Sequence, residues 1–204
     1  QARLPVRIPA SRFKDFLLDT AKVAEDYRRP VPREPFAATM AGTLFHAWVE
    51  SRFGVFSVSD EIDSFEPEAD GANEALNIEH LKEIFENSRF ANMTPADVEC
   101  EIQVTIRENT FICKIDAVFK TEKGFEIVDW KTGVAPKTEE DIAEKALQLA
   151  LYRMAYSKFH GIDPADIEVC LYYVNENIEI KPEQVKTTEE LLEMWDAVLA
   201  KVTD

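Results

Sequence analysis

One run is apolar enough for a protein interior yet ends in an acid and a base, and it constrains this chain more than any other. In Phe125-Glu126-Ile127-Val128-Asp129-Trp130-Lys131-Thr132-Gly133, residues Phe125, Ile127 and Val128 predict a buried strand. Strand side chains alternate between faces, so Phe125, Ile127, Asp129 and Lys131 share one face and Glu126, Val128 and Trp130 the other. Residues 111–119 read as a second strand, with Ile112, Lys114, Asp116 and Val118 on one face. The link Thr121-Glu122-Lys123-Gly124 is short and holds a glycine suited to a positive φ, which makes the two strands an antiparallel hairpin. The hairpin returns Asp116 to the neighbourhood of Asp129. Two carboxylates that close raise one another's pKa unless a cation sits between them, and a divalent metal removes that cost. From the hairpin alone the plainer reading stands: Asp129 and Lys131 as a strand-end ion pair, Asp116 as a turn acid.

The rest of the composition narrows the class. The chain has 204 residues with 46% hydrophobic content, enough for one domain with a sizeable core. No stretch approaches the ~18 consecutive apolar residues of a membrane span and no signal peptide opens the chain, so a soluble, cytoplasmic protein without a membrane partner is expected. The chain starts at Gln1 rather than Met, as expected of a fragment of something longer. Cys100, Cys113 and Cys170 are scattered within strand-like runs and read as buried free thiols of a reducing compartment. The charge is acidic, 23 basic against 39 acidic residues for a net −16, and an acidic chain repels a phosphate backbone. Either this is a solvated acidic domain, or a nucleic-acid substrate would reach it through a basic channel supplied by other parts of a larger machine.

Along the chain, a first helix is expected over residues 11–27, opened by Pro9 and a Ser11 cap, with Phe13, Phe16, Leu17 and Val23 inward. Arg28-Arg29-Pro30-Val31-Pro32-Arg33-Glu34-Pro35 follows as a rigid extended segment, either a surface linker or a place where Arg28, Arg29 and Arg33 touch phosphates. A second helix begins near Ala41-Gly42-Thr43 and carries Leu44, Phe45, Trp48, Val49 and Phe53, with His46 at the edge of that stripe. Residues 55–71 form an acidic insertion without the ligand spacing of a calcium loop. A helix over residues 73–90 and a short turn, with Thr94 as its cap and Pro95 as its first-turn proline, precede a strand over residues 98–107, with Glu99 near its start. After the hairpin, Thr138 caps a helix that Gly161 stops, and Gln148 and Tyr152, four apart, share one of its faces. Strands over residues 166–174 and 178–180 and a helix over residues 187–202, opened by a Thr187…Glu190 capping box, close the chain. This order predicts an α/β fold with a mixed central sheet flanked by helices. It reads as one domain over 1–204, with 1–90 a mostly helical lobe bearing His46 and 95–204 an α/β core.

Asp116, the apolar run into Asp129-Trp130-Lys131-Thr132-Gly133, and Gln148-Leu149-Ala150-Leu151-Tyr152 on a following helix together resemble the PD-(D/E)XK nuclease domain at the C-terminus of RecB/AddA-like helicase-nucleases. The run Lys114-Ile115-Asp116-Ala117-Val118-Phe119 is most similar to the UvrD/RecB-like subunits of bacterial AdnAB-type enzymes. The resemblance spans roughly residues 11–174 and implies a restriction-endonuclease-like core. It implies that His46, within Gly42-Thr43-Leu44-Phe45-His46, joins Asp116, Asp129 and the carbonyl of Trp130 in holding Mg²⁺ or Mn²⁺, where an isolated histidine would otherwise be a packing residue. Lys131 would then lower the attacking water's pKa and stabilise developing charge. Glu99 matches the family's Glu-x-Pro-Phe position and would orient that water or a second ion. Glu101 stands where the proline would be and is the alternative acid; either could be solvated surface. Gln148 and Tyr152 would border the site and help place the DNA strand. Some relatives carry a four-cysteine iron–sulfur cluster; that spacing is missing here and no cluster is expected. The function implied is metal-dependent DNA hydrolysis, exonucleolytic on single strands, within an ATP-dependent helicase-nuclease of double-strand-break repair. Its partners would be DNA, the helicase motor domains of the same full-length chain and a second helicase-nuclease subunit. The competing expectation is a nuclease-like module that guides a strand or docks a subunit without chemistry.

Overall fold

The computed structural model describes residues 4–28, 37–54 and 71–203. At its centre lies a six-stranded mixed sheet of β1 (Arg7–Pro9), β2 (Pro95–Ile106), β3 (Asn109–Thr121), β4 (Gly124–Lys131), β5 (Ile167–Tyr173) and β6 (Ile178–Ile180). Strand β3 is its axis. Antiparallel β2 pairs along nearly the whole of it. The other side of β3 is shared: β1 runs parallel to residues 110–112, and β4 runs antiparallel from Ala117 onward. Residues 113–116 therefore face a fork between β1 and β4, and Asp116 sits at its lower lip. Beyond β4 the parallel strand β5 and the short antiparallel β6 complete the sheet.

Helices cover both faces. On one side α1 (Phe13–Leu18), α2 (Thr20–Arg28), α5 (Glu139–His160) and α6 (Thr188–Thr203) bury Phe13, Phe16, Val23, Leu151 and Trp195 against Phe111, Ile115 and Ile127. On the other, α3 (Ala37–Arg52) and α4 (Gly71–Glu86) bury Phe45, Val49, Leu81 and Phe85 against Phe119, Val128, Trp130 and Tyr172. Helices from residues 1–90 thus lie on both sides of the sheet. Edge-on aromatic contacts lock each layer, with ring centroids 4.8 Å apart for Phe111 and Trp195 and 5.0 Å for Phe90 and Trp130. Because β4 is buried on both faces, Ile127 enters one core and Val128 and Trp130 the other, as the alternation predicts.

Several local expectations change. The first helix is not continuous: Asp19 leaves helical geometry at φ −146°, and its Oδ1 accepts the Lys22 amide at 3.0 Å. An aspartate at that point caps a new helix better than it continues the old one. Ser11 lies in a short 3₁₀ turn, Ala10–Arg12, and makes no cap. The second helix starts earlier than expected, at Ala37, and Leu44 is exposed on it. Thr94-Pro95 opens no helix; Pro95 is the first residue of β2, a strand position that needs no amide donor. Strand β1 was hidden in the sequence by Pro9, although only Ile8 of its three residues is buried. The Thr138 cap, the left-handed Gly161 stop and the reciprocal Thr187–Glu190 capping box are as expected. Among the described residues no helix is long and apolar enough to cross a membrane. The arginine-rich segment from Arg29 to Pro35 and the acidic residues 55–70 lie outside the described residues.

The hairpin between β3 and β4 closes at the Thr121–Gly124 pair, and Gly124 has φ +144°. A Cβ there would stand 2.1 Å from the Asp166 carbonyl oxygen, so both conformation and space require glycine. Gly124→Ala is therefore expected to destabilise the fold by roughly 2–4 kcal/mol in urea denaturation, since neither strain nor clash can relax independently. A loss below ~0.5 kcal/mol would show that the turn adapts.

Candidate active site

Register alone assembles the acids. Asp116 and Asp129 are the next residues beyond the last β3–β4 pair, Ala117 with Val128. Glu99 lies between the pairs Val98–Ala117 and Cys100–Ile115, which sets it opposite Asp116 on the other side. One row across β2, β3 and β4 thus carries Glu99, Asp116 and Asp129. Glu99 has φ 47°, a left-handed conformation that costs an L-residue about 1–2 kcal/mol. Side-chain packing on β3 changes phase at the same level: Phe111, Cys113 and Ile115 enter one core, Ala117 and Phe119 the other, and Val118 returns to the first. The single face predicted for Ile112, Lys114, Asp116 and Val118 is therefore not continuous.

Helix α3 delivers the imidazole. Gly42 packs against the end of β4, where a Cβ would lie 3.2 Å from Thr132 Oγ1, and His46 stands one turn further along. Its Nδ1 is 3.2 Å from Glu99 Oε1 and 3.5 Å from Asp116 Oδ1. His46, Glu99 and Asp116 each offer a ligand atom within 4.8 Å of the others. Carboxylate oxygens with one imidazole suit Mg²⁺ or Mn²⁺. Asp129 belongs to the row but is drawn to Lys131, whose Nζ is 2.6 Å from Asp129 Oδ2; the contact is an ion pair without hydrogen-bond alignment, and that oxygen has no hydrogen-bond partner among the described residues. The Trp130 amide donates to Asp116 Oδ2 at 2.6 Å, while the indole ring is buried in the α3–α4 core.

The electrostatics are those of an acid cluster short of positive charge. Burial, and then the charge of Asp129, push the Asp116 carboxyl well above the usual range, with His46 and Lys131 acting against them. Burial works to lower the His46 pKa, but the Glu99 hydrogen bond and the charges of Asp116, Glu99 and Asp129 lift it to about 9. Burial likewise opposes the Lys131 ammonium, yet Asp129 and Asp116 raise its pKa. At neutral pH the imidazolium stands where a metal cation would neutralise the same acids, and Lys131 is held as an ammonium.

The remaining sequence candidates separate. Gln148 Nε2 donates to Tyr152 Oη at 2.5 Å; Tyr152 is almost wholly buried, so it meets the cleft only through Gln148. Burial, with Asp129 and Asp116 nearby, raises the Tyr152 pKa and keeps its hydroxyl protonated. Glu101, the alternative acid, is exposed and accepts from Gln103 at 3.3 Å, away from the row. Arg29 and Arg33 lie outside the described residues, as does the side chain of Arg28. Sequence reasoning missed Tyr173, the register partner of Lys131, whose buried hydroxyl has no partner among the described residues. It also missed Lys14 and Lys145, which line a cavity of about 300 Å³ together with Lys131 and Gln148. Lys145 was legible at three residues before Gln148, whereas Lys14 comes from a helix whose docking only the fold reveals.

A family model described as the PD-(D/E)XK nuclease superfamily matches residues 15–204. No curated protein matches. Among solved structures, one from Eubacterium rectale named "Putative exonuclease" superposes with a TM-score of 0.61 at 14% identity, over 97% of this chain and 79% of that one, a likeness of fold. SSO0001 aligns at a TM-score of 0.38 with 11% identity over 93% of this chain and 83% of that one, too distant to inform the site.

The His46 pKa lies above its ordinary 6.5 in the fold, so its contribution to stability is complete below pH 6.5 and is lost as pH rises towards about 9. Asp116, also raised, adds a loss that begins lower, from its ordinary 3.8 upward, because the fold opposes its ionisation. Metal-free protein should therefore lose urea stability between pH 6.5 and 9, less steeply in His46→Gln. Saturating Mn²⁺ should raise the melting temperature by mass action, and each of His46→Ala, Asp116→Ala and Asp129→Ala should shrink that rise. A wild-type melting curve indifferent to Mn²⁺ would contradict a shared site.

Proposed function

The chain belongs to the PD-(D/E)XK nuclease superfamily, and on that premise we propose that it is a divalent-metal-dependent DNA nuclease hydrolysing phosphodiester bonds at the row Glu99, Asp116 and Asp129. The observation that carries the reading is this convergence of three acids, one imidazole and one protonated lysine at the fork of the sheet. His46, Asp116 and Asp129, with the Trp130 carbonyl, would hold Mg²⁺ or Mn²⁺, and Glu99 is near enough to join them or to orient the attacking water. The ion, when bound, neutralises phosphate charge and acidifies water. In hydrolysis a water oxygen forms a bond to phosphorus, the bond to the leaving sugar oxygen breaks, and negative charge grows on the non-bridging oxygens. Lys131, held as an ammonium by Asp129, is suited to stabilise that charge. Asp116 is oriented by the Trp130 amide, and Gln148, fixed by Tyr152, faces the cleft where a strand would lie.

The finer reading is a single nuclease domain over residues 1–204 that degrades single strands exonucleolytically as the C-terminal part of an ATP-dependent helicase-nuclease, with a second subunit, in cytoplasmic double-strand-break repair. Its support is the Asp-Trp-Lys-Thr-Gly and Gln-x-x-x-Tyr pattern and the net charge of −16. A domain of that charge gains little from electrostatic capture of DNA, and a motor feeding a strand to the site would replace weak encounter with high effective concentration. Arg28, Arg29 and Arg33 join this reading as contacts to the incoming strand. A guiding module without chemistry would have no need to keep Asp116, Asp129 and Lys131 together.

Labelled single-stranded DNA incubated with Mg²⁺, Mn²⁺ or EDTA tests the proposal. Cleavage should require the ion and vanish in Asp129→Ala. Lys131→Ala should keep metal affinity but slow cleavage by on the order of a hundredfold, the scale of losing a charge that acts mainly in the transition state. A Lys131→Ala variant cleaving like wild type would reduce the lysine to an ion-pair partner.

A further inference from the structure

We propose that the cavity between α1 and the first turns of α5 is a second phosphate site, which grips the strand beside the scissile bond with Lys14 and Lys145. The inference rests on the nuclease reading and adds residues to it. The cavity holds about 300 Å³ and is lined by Ser11, Lys14, Lys131, Glu144, Lys145 and Gln148. Three lysines face one glutamate there, on a chain whose overall charge is −16. Lys131 lines this cavity and also pairs with Asp129 of the acid row, so a strand whose phosphate is attacked beside Lys131 would continue along the lysine-lined wall.

The three cations are held differently. Lys131 is committed to Asp129 at 2.6 Å. Lys14 bridges across the cavity to Glu144 Oε1 at 2.5 Å, joining α1 to α5. Lys145 has no ion-pair partner among the described residues, and at three residues before Gln148 it points along the same side of α5. The Lys14–Glu144 pair is partly exposed, where such pairs add little to stability. Glu144 therefore acts as a counter-charge that a phosphate must displace to reach Lys14, while Lys145 is free to receive it.

The test is the binding of a short fluorescein-labelled single-stranded DNA, followed by anisotropy at several low salt concentrations without added metal. Lys14→Ala and Lys145→Ala should each weaken binding roughly threefold to tenfold and reduce the log–log salt slope by about 0.7, the share of one phosphate contact on a single strand. Glu144→Gln should tighten binding by roughly threefold, a gain that a merely structural pair would not give. Comparison of end-phosphorylated with unphosphorylated strands assigns the occupant: equal weakening marks a backbone phosphate, weakening confined to the phosphorylated strand a terminal one, and both support the site. Lysine variants with wild-type affinity and salt slope would overturn it, as would absence of any binding. Cleavage with Mn²⁺ is scored separately. Cleavage with unaltered lysine-variant binding leaves the nuclease standing and removes the cavity; lysine-dependent binding without cleavage does the reverse.

Discussion

Crowding of Glu99, Asp116 and Asp129 at the fork of a buried sheet is the constraint on which the rest of the structure depends. Taking a carboxylate out of water costs several kcal/mol when nothing compensates it, and here a row of them meets where β3 has lost β1 and not yet gained β4. The surrounding elements answer that cost one by one. The Trp130 amide binds Asp116, Lys131 neutralises Asp129, and α3 brings an imidazolium between Glu99 and Asp116. The aromatic layer of Phe45, Phe85, Phe90 and Trp130 fixes the α3 side so that His46 keeps its reach. Without a metal the site relies on a proton on His46. That dependence links the fold's stability to pH, because the acids around His46 lift its pKa to about 9.

The two faces of the sheet divide the work. From the α3 side comes His46; from the α1–α5 side come Lys14, Lys145 and Gln148. Asp129 and Lys131, at the end of β4, connect the two. A chain with an excess of acid can thus keep a local cationic wall, because Asp129 and Glu144 hold Lys131 and Lys14 in place as counter-charges. A contrasting use of charge lies at the far side of the fold, where Glu126, buried in β4, is met by Arg89 and Lys181; that cluster ties the sheet to its flanks.

Much of this was legible in the sequence because it is local or set by period-2 register. The turn before Gly124, the face shared by Asp129 and Lys131, the Thr138 and Thr187 caps and the Gln148–Tyr152 pair all follow from spacing within a single element or hairpin. What was not legible depends on partners distant in sequence. The strand role of β1 comes only from its pairing with β3, and Asp19 breaks a helix whose apolar pattern runs straight through it. Glu99 and Glu101 are equivalent by pattern; the left-handed turn at Glu99, opposite Asp116, separates them. Lys14 reaches the cavity because Phe13 and Phe16 dock α1 beside α5, a packing result that no motif encodes.

Anomalous diffraction from crystals of the protein grown with Mn²⁺ tests the central claim most directly, because it locates the ion without reference to activity. A dominant peak bonded to the His46 imidazole and the carboxylates of Asp116 and Asp129, absent from crystals of Asp116→Ala, is the result this account predicts. A peak elsewhere, or a fork that stays metal-free with His46 still bridging Glu99 and Asp116 at saturating Mn²⁺, would contradict it.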